Sequence, residues 1–208
     1  DIFYYVLWRY QGGRMQKKAF LFTILTLLLV TEVFSQKLDQ FAGISFGLNR
    51  QEVIEEIMKL GYDPYGQVGS ASDRVIIPVY MLAELPVQVD FLFNKNEKFY
   101  AFEIRTGRME QLRLNKVFDA VAYMSDHFTV KYGKPSKAPS LQEQDIKVNV
   151  HNIYQEWFGV KFLDIYTAII QKDGRFYTIG SVTHRTLAKE KNSEGKKNLS
   201  SKERVPAF

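Results

Sequence analysis

The chain has 208 residues, of which 46 % are hydrophobic and 25 % charged, proportions that exclude wholesale disorder and a collagen-like repeat. It has no cysteine, which excludes disulfide scaffolds, thiolate metal sites and cysteine nucleophiles, and its three histidines, His127, His151 and His184, leave little material for a metal centre. The formal net charge is +5, yet residues 36–188 carry 18 basic and 18 acidic side chains. The excess lies in the flanking segments, and a neutral central part argues against a nucleic-acid partner.

In chain order, residues 1–14 precede any recognisable pattern and read as an upstream over-extension, with Met15 as the start. Residues 15–35 have the three parts of a secretory signal peptide: Lys17-Lys18, an uncharged apolar run from Ala19 to Thr31, and Val33 and Ser35 at −3 and −1 of a cut before Gln36. The run is 13 residues long, against about 20 needed to cross a bilayer. The expected destination is therefore export, to the periplasm or outside, with no membrane span left after cleavage. Residues 36–188 are expected to form one domain. Residues 189–208 have few apolar side chains and no periodicity, which predicts a disordered charged tail with at most a weak attraction for anionic lipid or polymer.

Within the domain, Phe41, Ile44, Phe46 and Leu48 suggest an extended entry. Asn49 with Glu52 makes a capping box ahead of the stripe Val53, Ile54, Ile57, Met58 and Leu60, which predicts a helix ending at Gly61. Strands are predicted over Arg74–Leu82, from Val87 to Phe93 and over Lys98–Arg105, with a turn at Asn94–Glu97. A second helix, about Leu112 to Tyr132, stops at Gly133 with Pro135 beyond it. Three more strands follow, Val148–Phe158, Lys161–Ile170 and Arg175–His184, the last two joined through Asp173-Gly174.

The halves align at their hairpins, Asn94–Tyr100 over Gln171–Tyr177, and at their helix ends, Lys59–Gly61 over Lys131–Gly133. The expected fold class is α+β. Two pseudo-repeated αβββ units, about 41–106 and 110–185, would form an antiparallel sheet with both helices packed on one face.

The stretch Phe41-Ala-Gly-Ile-Ser-Phe-Gly-Leu-Asn-Arg-Gln-Glu-Val53, leading into a helix that ends at Gly61, resembles the opening of β-lactamase-inhibitor-protein-like (BLIP-like) domains and of small envelope-assembly lipoproteins. Asp126-His-Phe-Thr-Val-Lys-Tyr-Gly-Lys-Pro135 resembles the helix exit of exported bacterial proteins of unknown function. The resemblance spans about Phe41 to His184 and implies a sheet whose open face binds another protein. The inhibitor proteins carry disulfides and the lipoproteins a lipidated cysteine, so neither an inhibitory target nor lipid anchoring transfers to a cysteine-free chain.

Phosphate-loop, dinucleotide and zinc-protease patterns are absent, and Gly69-Ser70 lacks the context of a nucleophile elbow. His151 and His184 both fall on strand candidates of the second unit and could approach in space with Asp164 or Glu156 nearby, which makes them the candidates for an acid–base pair or a metal site. The expectation is no enzyme and no cofactor. Aromatic residues carry the binding expectation: Tyr154, Trp157, Tyr166 and Tyr177 lie on the strands of the second unit and would anchor an envelope or extracellular protein if they shared an exposed face. The alternative is a carrier that holds a small apolar or aromatic ligand between helices and sheet.

Overall fold

The computed structural model describes Leu38, residues 40–65 and residues 74–189. The expected upstream extension, the signal peptide and the tail beyond residue 189 lie outside the described residues. The chain enters through two short strands, β1 (Gln40–Phe41) and β2 (Ile44–Ser45), joined by a tight turn. Ala42 and Gly43 both take positive φ there, +47° and +94°, and glycine accommodates the second at little cost.

Helix α1 (Arg50–Lys59) begins as the sequence predicts. The Asn49 side chain accepts the Glu52 N–H at 3.0 Å, and Glu52 accepts the Asn49 N–H at 2.6 Å. Strands β3 (Arg74–Leu82), β4 (Leu85–Phe93) and β5 (Phe99–Arg105) follow as a meander. The β4–β5 turn is fastened by Asn94, whose Oδ1 accepts the N–H groups of Asn96 at 3.0 Å and Lys98 at 2.9 Å. After a single 3₁₀ turn, α2 (Leu114–Tyr132) leads to β6 (Asn152–Trp157), β7 (Leu163–Lys172) and β8 (Arg175–His184).

The fold is therefore α+β, and its main sheet has six strands in the order β3-β4-β5-β8-β7-β6, antiparallel throughout. The last strands of the two meanders, β5 and β8, pair at the centre. Strand β6 is shorter than the residue pattern predicts: Asn149 takes positive φ (+59°), and Val148 instead bridges Gln171 in a parallel sense.

Strand register divides the sheet into two unlike faces, because cross-strand partners share a side. One row runs Val75–Phe91–Phe102–Val182–Ile165–Trp157 and is apolar from edge to edge. It belongs to one buried cluster with Val53, Ile54 and Ile57 of α1 and Met124 and Phe128 of α2. The adjacent row on this side runs Ile77–Val89–Ile104–Gly180–Thr167–Gln155. Gly180 is what lets α2 settle here, since a Cβ at that position would lie 2.7 Å from both Met124 Sδ and Phe128 Cζ. Beside it, the hydroxyls of Ser125 and Thr167 share a buried hydrogen bond of 2.7 Å.

Candidate functional site

The opposite side of the sheet carries a different chemistry. Its central row runs Ile76–Asp90–Glu103–Ser181–Tyr166–Glu156, one residue from each strand. The flanking row Gln88–Arg105–Ile179–Ala168–Ile153 adds a guanidinium and three apolar side chains. Arg74, Leu92, Ala101, Thr183 and Asp164 make the row on the other flank.

Asp90 is the fixed point of this surface. Its side chain is fully buried, and its Oδ2 accepts from Arg74 Nη1 at 2.8 Å and Arg105 Nη2 at 2.6 Å. Oδ1 accepts from Gln88 Nε2 at 2.6 Å. A buried carboxylate is tolerable when several donors replace its lost hydration, and here two of the three are charged. Directly across the register stands Glu103, half-buried. Burial raises its carboxyl above the ordinary value and the Asp90 charge adds to that, while Arg105, Arg74 and His151 oppose it.

Two strands away, the Tyr166 hydroxyl lies 2.8 Å from His151 Nδ1. Burial raises the Tyr166 phenol above its usual range, opposed by a hydrogen bond with Ser181 and assisted by the Glu103 charge. Such a phenol is a poor nucleophile and a good hydrogen-bonding group near neutral pH. Behind it, Ala168, Ile170 and Ile179 form a small apolar cluster onto which Ile153, Tyr166 and Tyr177 pack. The surface thus joins hydrogen-bonding groups on one side to an aromatic and aliphatic shelf on the other.

Of the four aromatic residues singled out from the sequence, Tyr166 and Tyr177 belong to this face. Trp157 does not, and the expectation is corrected: it is 1 % exposed, stacks at an angle on Phe128 with ring centroids 5.8 Å apart, and donates its indole N–H to the Gly133 carbonyl at 2.7 Å. Tyr154 packs with Leu114, Val117, Val121, Ile169 and Phe176 on the helix side. For Trp157 the cause is a β-bulge between Ile153 and Gln155, because the extra residue reverses the alternation of everything after it, whereas Tyr154 takes the helix side by ordinary alternation from Ile153.

The two histidines also part company. His151 meets Tyr166, whereas His184 sits against Phe46 and Phe162 at ring distances of 5.8 and 6.2 Å. Among the described residues no group of three or more His, Asp and Glu side chains could hold a metal ion. The charged members of the site, Arg74, Asp90, Glu103 and Arg105, do not stand out in the sequence, where they read as ordinary polar-face positions. Their signal is the alternation of β4 and β5, visible as a site only once Asp90 is registered against Glu103.

A cleft of about 480 Å³ opens elsewhere, lined by Glu84, Leu85, Met109, Lys116, Asp119, Ala120 and Tyr123. Its mixture of charges and single aromatic ring contrasts with the aromatic chamber that a carrier would need. Among the described residues no helix is long and apolar enough to cross a membrane. Compared with known proteins, the chain matches no family model, no curated protein and no solved structure.

Proposed function

We propose that this chain is an exported, non-catalytic interaction module that receives a protein partner on the sheet face carrying Asp90, Glu103, Tyr166 and Tyr177. The observation that carries the reading is the contrast between the two faces. One holds an unbroken apolar row packed with side chains of α1 and α2, and the other an ordered polar row beside a tyrosine shelf. A pre-ordered lattice of charges next to rigid aromatic rings suits recognition of a protein surface, where a few desolvated anchors dominate the energy and charges set the register. In this reading the molecule is two αβββ halves related about the β5–β8 pair, with both helices on the apolar face. The symmetric strand order and the matching hairpins support it. The resemblance to inhibitor-protein-like domains points to the same use of the sheet. Export rests on the leader-like residues 15–35, and the non-catalytic reading rests on a sequence without phosphate-loop, dinucleotide or zinc-protease patterns. The aromatic side chains a carrier would need, including Phe91, Phe99 and Phe102, are spent on contacts with one another and with Phe41 and Phe46.

A photo-crosslinking amino acid at Tyr177, compared with the same group at Val130 on the exposed side of α2, tests the proposal in cells making the full chain. A discrete protein adduct from Tyr177, absent from Val130 and lost on adding Tyr166→Ala, is the expected result. Equal adducts from both positions, or none from Tyr177, would refute it.

A further inference from the structure

We propose that the β6–β7 loop, residues 158–162, is a docking tip for an anionic lipid surface. Phe158 and Phe162 are 61 % and 65 % exposed, the two phenyl rings of a five-residue connection. Exposure of this kind usually accompanies a loose loop, and here the backbone is held on every side. The Phe158 N–H donates to Ser136 Oγ at 2.9 Å, and the Ser136 hydroxyl contacts the Phe158 carbonyl at 3.3 Å. The Leu163 N–H donates to the Val160 carbonyl at 2.9 Å. Arg185 closes the other flank, its backbone N–H donating to the Phe162 carbonyl and its Nη2 to the Lys161 carbonyl, both at 2.8 Å. Val160, between the rings, packs inward against the core cluster. The loop therefore spends its ordering entropy in advance and keeps two apolar rings in water, an arrangement that favours a partner able to take them up.

The charges around the tip identify that partner. The nearby carboxylates are already engaged, Glu156 with Lys137 at 3.7 Å and Asp164 with Arg185 at 3.3 Å. Lys161 within the loop and Lys134, two residues before Ser136, are exposed and add positive charge. Aromatic rings at a tip with a cationic collar match the interface of an anionic bilayer, where rings enter the headgroup region and lysines meet the surface potential. A protein partner would need a cavity shaped to two rings. A bilayer needs none.

The test uses the full chain with Trp8→Phe and the reporter substitution Phe162→Trp, subtracting the spectrum of the chain without the reporter so that Trp157 cancels. Vesicles of equal parts phosphatidylglycerol and phosphatidylcholine are compared with pure phosphatidylcholine. With the anionic vesicles we expect a blue shift of the reporter and its quenching by brominated acyl chains, both reversed by raising salt to about 0.5 M, where charges are screened within several ångströms. Lys161→Gln should weaken partitioning about fivefold, and Phe158→Ser about tenfold. An unchanged reporter on anionic vesicles overturns the proposal even if the chain sediments with them, because the apolar run at residues 19–31 would then be responsible. A shift that appears only on adding a protein fraction overturns it in favour of a protein-docking tip.

Discussion

Gly180 offers the sharpest test of how α2 meets the sheet. Replacing it with alanine adds one methyl group, which would lie 2.7 Å from Met124 Sδ, 2.7 Å from Phe128 Cζ and 3.3 Å from Phe128 Cε2. Met124 can yield by rotating its thioether. Phe128 cannot, since its ring is wedged between Tyr132 at 5.6 Å and Trp157 at 5.8 Å. Relief requires α2 to lift or Phe128 to leave its rotamer, an overpacking cost of about 1–3 kcal/mol. Alanine also restricts the unfolded chain, which returns about 0.4–1 kcal/mol. Gly180→Ala should therefore destabilise by roughly 1–2 kcal/mol, or about 3–8 °C in Tm for a domain of this size, measured by circular dichroism on heating and in urea. The shorter ring replacement Phe128→Leu opens space at the same spot, so the double variant should lose less than the two single losses combined, by about 1 kcal/mol. A neutral or stabilising Gly180→Ala, or strict additivity with Phe128→Leu, would refute the close approach as the reason for glycine.

Two further predictions concern the polar face. Asp90→Asn keeps the shape but leaves Arg74 and Arg105 with a neutral acceptor, and the guanidinium groups are about one-third exposed; the expected loss is about 2 kcal/mol by urea unfolding, and a loss below about 0.5 kcal/mol would show that the lattice is not a structural element. Glu103 has a raised carboxyl, through burial and then the Asp90 charge, so the folded chain retains a proton that the unfolded chain has released. Its contribution to stability therefore falls as pH rises from the ordinary carboxylate value through the raised one, and Glu103→Gln should flatten the stability–pH profile in that window; an unchanged or steeper slope contradicts the assignment.

Element identity was legible because each element carries a local signal. Asn49 and Glu52 announce the start of α1, Asp173-Gly174 the β7–β8 turn, and Pro135 the limit of α2. The strand limits of β3 and β8 coincide with those the sequence predicts, because turn residues or charge bound them on both sides. The start of β6 differs, since Val148 and Val150 continue the strand-like composition while the chain leaves strand geometry at Asn149. The candidate site was less legible than the fold, for a different reason. Which side of the sheet a residue occupies depends on parity, and a bulge changes parity without leaving any mark in composition.

Strand β6 shows what that one residue decides. From Ile153, which faces Ala168 on the polar side, simple alternation would send Gln155 and Trp157 to that same side and Glu156 to the core. The bulge gives Glu156↔Tyr166 and Trp157↔Ile165 instead, so the indole completes the apolar row and the carboxylate joins the polar one. Undoing it would press the Glu156 carboxylate toward Phe128, where an unpaired charge is far more costly than the ladder hydrogen bond that the bulge forgoes. The same device recurs on the opposite edge. In β3 the register shift between Ile77 and Tyr80 turns Tyr80 to Phe41, at 5.2 Å between ring centroids, and leaves Val79 and Met81 exposed. Both outer strands thus use a bulge to choose which aromatic ring enters the core. Binding variants at the polar face therefore belong at Tyr166 and Tyr177, and a loss of binding caused by Trp157→Ala would report on folding.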